Sequence, residues 1–347
     1  MGIGGQWGMR LSRRAVMIGS SSLVAAIVLG AGAFALHGRS SSPARPGGAA
    51  RTSAPAAAAR PLLSPFTGKP VRALGPVLAV KIDNIVFARP QTGLTRADIV
   101  YVIPVEGGLS RFLAVFSSHF PPVIGPVRSA REDDLQLLAQ FGRPAFAFSG
   151  AQPQLLPVVE HARIVNLYAG VAGGYYRDLS RAAPSNLYAR TRRLLAEAPR
   201  ASKARNIGFR FGPAPAGGRA RAAYSVSYPA ASFSFRWSRR QARWLTWMDG
   251  SPAASTEGRQ LGARTVVVQY TNVGTSKYLE EGSRPPFAYT VGSGRAVVLR
   301  GGRAYSGRWS RPLADGGTTF TTAAGQPMTF ARGQVWVVLA YGPGSTG

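Results

Sequence analysis

Cysteine is absent from the 347 residues. Its absence excludes disulfides, thiolate metal sites, a cysteine nucleophile and a lipid-accepting N-terminal cysteine. Acids are scarce, with 14 Asp and Glu against 42 Lys and Arg, which gives a formal net charge of +28. The three histidines, His37, His119 and His161, fit no metal or triad spacing, and no G-x-S-x-G elbow occurs. No cofactor and no metal site are therefore expected. Lysine is rare as well, at four of the 42 basic residues. Two sources account for such an arginine bias: a GC-rich coding sequence, or attraction to polyanions.

What is present begins with an export pattern. Residues 1–14 form a basic segment expected in the cytoplasm, with Arg10, Arg13 and Arg14 leading into 15–36. That stretch carries no charge and is long enough to cross a bilayer core of ~30 Å. L-S-R-R-A-V-M resembles a twin-arginine signal, and Ala33-Phe34-Ala35 matches a small-x-small cleavage site. The reading is an N-terminal hydrophobic helix, kept as a single-pass anchor or removed after Ala35 to leave a secreted protein. Ser, Pro, Ala, Gly and Arg over 37–60 cannot bury a core and read as a disordered tether. An exported chain is not expected to meet nucleic acid. Anionic wall polymer or lipid is the expected partner, besides the membrane itself.

The expected fold class is mixed α/β or α+β: a mixed-sheet domain with helices over 61–215, then a mainly antiparallel β domain over 222–342. Six of the 14 acids fall between Asp83 and Asp134. The Val-rich run 77–82 reads as a strand buried on both faces that delivers Asp83 and Asn84 to its carboxyl end, where open α/β sheets hold ligands. Strands are expected over 98–105 and 110–117, joined by a two-residue turn at Gly107-Gly108. That turn pairs Glu106 with Leu109 and Pro104 with Arg111. It places Glu106 and Arg111 on one face, within ion-pair reach, and leaves Phe112, Ala114 and Phe116 on the other. Ser129 with Glu132 reads as a capping box for a helix over 130–141. Arg128 and Arg131 then flank a helix start that favours anions, unless Glu132, Asp133 and Asp134 neutralise them. Further expectations are a strand at 144–149, a helix near 153–161, a strand at 164–167, and a helix capped by Ser185 or Asn186 that reaches about Ala198.

After the Pro/Gly/Ala/Arg spacer 212–221, short strands recur with turn signals between them and almost no helical periodicity. A small antiparallel sheet or partly open barrel is expected, with Trp309 and Trp336 in its core.

K-I-D-N, A-R-P-Q-T-G-L-T-R-A-D-I-V-Y, V-E-G-G-L-S-R-F-L-A-V-F and I-G-P-V-R-S-A-R follow one another from Lys81 to Arg131. With Y-R-D and A-P-S-N-L-Y at Tyr176–Tyr188, this composite resembles the YerB-like lipoprotein family, over roughly 64–339. The resemblance implies an exported, membrane-tethered protein with an N-terminal and a C-terminal domain, and supplies no reaction. It marks Asp83, Asn84, Arg89, Gln91, Asp98, Glu106, Arg111, Arg128, Ser129, Arg131, Asp178 and Asn186. Three departures stand out: no lipid-accepting cysteine, Val102 where relatives often carry an acid, and Ser185 where they often carry histidine. The resulting candidate ligand set is Asp83, Asn84, Arg89, Gln91, Glu106, Arg111, Arg128, Ser129, Arg131 and Asp133. The leading functional expectation is an anionic-ligand binding module. The alternatives are an envelope hydrolase or transferase that uses carboxylates such as Asp83, Glu106 and Asp133, and a structural partner in an envelope complex.

Overall fold

The computed structural model describes residues 61–280 and 282–345. The expected hydrophobic helix over 15–36 and the tether 37–60 lie outside them. Among the described residues no helix is long and apolar enough to cross a membrane. The described residues belong to one compact unit.

The apolar runs of the first half become strands. β1 is Leu78–Ile82, β2 Ile99–Pro104 and β3 Ser110–Phe116. After helix α1, Glu132–Leu138, come β4, Ala145–Phe148, and β5, Val165–Tyr168. The second half supplies β6, Ala223–Tyr228, β7, Ala231–Ser238, and β8, Arg243–Met248. It continues with β9, Thr265–Thr271, β10, Gly292–Arg300, β11, Arg303–Arg311, and β12, Val335–Tyr341.

One large sheet runs β11-β10-β9-β12-β2-β3-β1-β4-β5. The spacer 212–221 therefore marks a seam in sequence and not a gap between two bodies. β12, the last strand, pairs parallel with β9 on one side and with β2 on the other. The physical reason is apolar. β2 and β9 are Val- and Ile-rich and β12 reads V-W-V-V-L-A-Y, so each needs cover on both faces and both edges. Mixed α/β character with an antiparallel-rich second half is as expected, and the β6–β8 hairpins form a separate antiparallel sheet. That sheet packs Phe233, Phe235 and Trp244 onto one face of the large sheet beside Phe112 and Trp336. The ring of Trp336 meets those of Phe112 and Phe235 edge-on, at 5.5 and 6.2 Å. The other face is covered by α1, through Leu137 and Leu138, and by Phe141, Phe209 and Phe330. Trp309 and Trp336 are both buried, as expected.

The β2–β3 register differs from expectation by one residue. Pro104 pairs with Ser110 and Ile103 with Arg111. The turn holds three residues, Glu106–Gly108, with Gly107 and Gly108 both left-handed at φ 66° and 68°. A one-residue shift exchanges the faces. Leu113 and Val115 join Ile99, Tyr101 and Ile103, whereas Phe112, Ala114 and Phe116 join Val100 and Val102. Both faces of the hairpin are buried, so apolar patterning could not select the register. The helix expected from Ser185 or Asn186 is also replaced: Leu187–Arg190 is a strand and the helix is Thr191–Ala196.

Because the sheet interleaves the halves, cleavage at a protease site inserted at 213–217 should leave two fragments that co-elute under native conditions. Residues 222–347 expressed alone should show no cooperative urea transition. Size-exclusion chromatography and circular dichroism check both outcomes, and two independently folded fragments would refute the shared sheet.

Candidate functional site

β1, β4 and β5 are parallel neighbours, so their carboxyl ends open at one end of the sheet. β1 ends at Ile82, and Asp83 is held by its own N–H, which donates to Pro126 O at 2.9 Å. Asp83 Oδ1 accepts the Asn84 N–H at 2.9 Å, and Oδ2 accepts the Ser185 hydroxyl at 2.8 Å. Arg128 Nε stands 3.3 Å from the same Oδ2, out of line for a hydrogen bond. Asn84 Nδ2 donates to Ser110 Oγ, and Gln91 Nε2 donates to both Asn84 Oδ1 and Asp83 O. Those bonds fix the Gln91 amide and leave its buried Oε1 without a donor among the described residues. Arg89 donates to Asn84 O and pairs with Asp249 of the β8 hairpin at 2.8 Å.

A second group lies where the β2–β3 turn meets α1. Arg131 Nε donates to Glu106, Nη2 to Glu280 at 2.9 Å, and Nη1 to Ala130 O. Arg111 donates to Ser129 O at 3.1 Å and lies 3.9 Å from Glu106. Burial alone would raise the Glu106 carboxyl; the Arg131 hydrogen bond and charge, with that of Arg111, hold it below the usual range. Burial and the neighbouring Arg131 charge depress Arg111 to about 10. The expected Glu106–Arg111 pair is thus present in a different register, and Arg131 is the stronger partner of Glu106.

The start of α1 departs from the expected capping box. Asp134, not Ser129, closes it by accepting the Arg131 N–H at 2.7 Å. Glu132 turns away to accept the Ser276 hydroxyl and the Lys277 N–H. Ser129 Oγ instead lies 3.4 Å from Ser149 Oγ. Asp134 also accepts from Lys81 at 2.6 Å, both side chains being fully buried. Asp133 accepts the Ala288 N–H through Oδ2, while its buried Oδ1 has no partner among the described residues. Burial first, then the Asp134 charge, pushes Asp133 up to about 7.

The structure thus gathers Asp83, Asn84, Gln91, Arg128 and Ser129 at the carboxyl end of β1, with Glu106, Arg111 and Arg131 beside them. Asp133 lies behind them, in the core under the second half. Asp98 is elsewhere: it accepts the Ser117 and Ser118 N–H groups where β3 ends. It lines a cavity of about 380 Å³ there, with Arg96, His119 and Arg259. Asp178 is half-buried and occupied by Ser180, and Asn186 accepts from Arg177. Sequence reasoning left out Lys81, Ser110, Ser149 and Glu280. A lysine inside the run L-A-V-K-I is a signal for a buried acid partner, whereas Glu280 arrives from the second half without a local signal. Among the described residues no cluster of His, Asp or Glu could hold a metal ion.

Two family models match the chain. One is described as "Protein of unknown function (DUF3048) N-terminal domain" and covers residues 66–205; the C-terminal domain of the same family covers 224–337. The chain belongs to this family. The protein named "Putative lipoprotein YerB" of Bacillus subtilis (strain 168) is 49% identical over 78 residues, which is 21% of this chain. The match spans 23% of that protein's length. The crystal structure of YerB from Bacillus subtilis superposes with a TM-score of 0.69, covering 80% of this chain and 96% of that one. At 21% identity that likeness shows a shared fold. The resemblance to YerB-like proteins is therefore borne out. Two of its departures can now be placed. Val102 is buried in the core, and Ser185 donates directly to Asp83, so a side chain at that position touches the site.

Two outcomes follow from the buried acids. Lys81→Met strands the Asp134 carboxylate and should cost about 3–5 kcal/mol in urea unfolding, whereas Lys81→Met with Asp134→Leu should recover most of that loss. Asp133 carries its proton to higher pH when folded than when unfolded. Its folded state therefore binds more protons between the ordinary carboxylate range and about 7. Stability should fall as pH rises through that window and flatten above it. Asp133→Asn should remove this slope in unfolding curves taken between roughly pH 5 and 8.

Proposed function

We propose that this protein is an extracytoplasmic module, tethered to the membrane through its N-terminal segment, that binds an anionic group of the cell envelope at the carboxyl end of β1. One observation carries the reading. Among the arginines gathered there, Arg111 and Arg131 spend their donors on Ser129, Glu106, Glu280 and Ala130. Arg128 has only Asp83 beside its Nε, and its terminal nitrogens meet no protein acceptor among the described residues. Its side chain is 26% exposed. A planar fork with both terminal nitrogens free suits a phosphate or carboxylate. Asp83 and the Ser185 hydroxyl set the orientation of the fork, and the orphan Gln91 Oε1 asks for a donor close by. The charge beyond residue 60, 35 basic against 14 acidic residues, favours approach of such a ligand.

An acid–base enzyme is supported less well. Glu106 is held ionised by two arginines, and Asp133, whose proton is retained to about 7, is buried and bonded to Ala288. Neither geometry presents a protonatable carboxyl to an incoming bond.

Titration with poly(glycerol phosphate), a phosphodiester of the kind found in anionic wall polymers, tests the reading. Arg128→Gln should weaken binding about ten- to hundred-fold, the range set by a lost charged hydrogen bond, and flatten its salt dependence. Arg177→Gln, at the exposed end of the strand Tyr175–Arg177, should leave it within error. Binding unaffected by Arg128→Gln would remove the proposal.

A further inference from the structure

Of the five most exposed large apolar side chains, four stand on loops that follow β1 and β5 or are fastened beside them, and Leu313, 65% exposed, stands apart on the loop after β11. Leu179 is 90% exposed, Phe87 81%, Val171 71% and Val86 65%. All four stand on loops at the carboxyl end of the parallel strands. Val86 and Phe87 occupy the single turn Val86–Ala88 that follows β1. Val171 follows β5 in a turn whose N–H donates back to Tyr168 O. Leu179 belongs to the loop 178–186, whose Ser185 reaches Asp83.

These loops are braced. Arg181 donates from one guanidinium to Pro90 O at 3.0 Å, Arg89 O at 2.9 Å and Phe87 O at 3.4 Å, and also to the Tyr188 hydroxyl. The Leu179 loop is thereby fastened to the Phe87 turn. The apolar tips are held out into solvent instead of folding back. Such exposure lacks a purpose in an isolated soluble unit, where large apolar patches mark docking surfaces.

We infer that this rim docks on a phospholipid bilayer surface, with Phe87 and Leu179 entering the headgroup–acyl boundary. Two observations select a bilayer. The rim cations Arg177, Arg181, Arg190 and Arg193 outnumber the carboxylates there, each of which is already occupied: Asp178 by the Ser180 hydroxyl and N–H, Glu197 by the Gly173 N–H and Asp249 by Arg89. Apolar tips with flanking arginines match an anionic interface. The uncharged run 15–36 is also separated from the described fold by only the 24 residues 37–60, a span of at most ~80 Å when extended. A bilayer reached by that run is within range of the rim. Docking there would present the Arg128 fork to the headgroup layer. It goes beyond the anion reading and does not depend on it.

The absence of cysteine makes the test direct. Single variants Phe87→Cys, Leu179→Cys and, as a reference on a different exposed loop, Leu313→Cys are made in the full chain. Each carries one environment-sensitive fluorophore. The proteins are placed in phosphatidylglycerol/phosphatidylcholine liposomes and in nonionic micelles. Labels at 87 and 179 are expected to shift to the blue in liposomes. They should also be quenched several-fold more than the label at 313 by nitroxide-bearing lipid. Equal quenching at all three positions overturns the inference. So does an identical shift in nonionic micelles, which would show that the tips need no anionic bilayer surface, and so does a shift that grows with protein concentration, which would assign the rim to a second copy. Arg128→Gln combined with the label at 179 separates the two proposals, since the label should remain quenched when polymer binding is lost.

Discussion

The parallel pairing of the final strand, β12, with β2 and β9 is the constraint on which the rest of the structure depends. Without it each half would carry a bare Val/Ile-rich edge, a template for pairing with another chain. With it, the edges close and the ring of Trp336 enters the layer shared by Phe112 and Phe235. The position of the polar cluster follows. β12 fixes β2, the β2–β3 turn carries Glu106, and Glu106 takes Arg131 at the start of α1. Glu280 and Asp249, both from the second half, complete the ion pairs of Arg131 and Arg89. The site is thus built from both halves because the sheet is.

Charge at this end of the molecule is graded by depth. Lys81 and Asp134 are fully buried and satisfy each other, with the Arg131 N–H taking the second carboxylate oxygen. Such a pair contributes little net stability over an apolar one, but it penalises any alternative arrangement that separates its members. Glu106, Arg111 and Arg131 form the next layer, partly open and mutually paired. Arg128 is outermost and holds the unspent donors. The ordering explains why a strongly basic chain still keeps half-buried acids here: they set the arginines in place.

Much of the fold was legible. Strand positions in the second half follow from alternation and turn residues, and β1, β4 and β5 from short apolar runs. The clustering of Asp83, Arg128, Glu106, Arg111 and Arg131 could also be anticipated, because strand ends and a tight turn deliver them locally. The hairpin register could not be read. Both of its faces are apolar, and the choice lay in two left-handed glycines that admit a three-residue turn as readily as a two-residue one. The helix expected near Asn186 failed for a tertiary reason: Leu187–Arg190 finds strand partners at Val123–Ile124 and Tyr175–Arg177. The shared sheet was invisible because a parallel partner most of the chain away leaves no local trace, and so Glu280 and Asp249 were missed as site neighbours.

The place of β12 also has a temporal side. The strand that the middle of the sheet requires is synthesised after both of its neighbours, so β2 and β9 wait with open edges until it emerges. Closure depends on contacts of very long sequence separation, which is the slow regime of folding. Until β12 arrives, the ladder of N–H and C=O groups along β2 has to be kept from other chains, so this molecule's need for chaperoning is greatest just before β12 emerges.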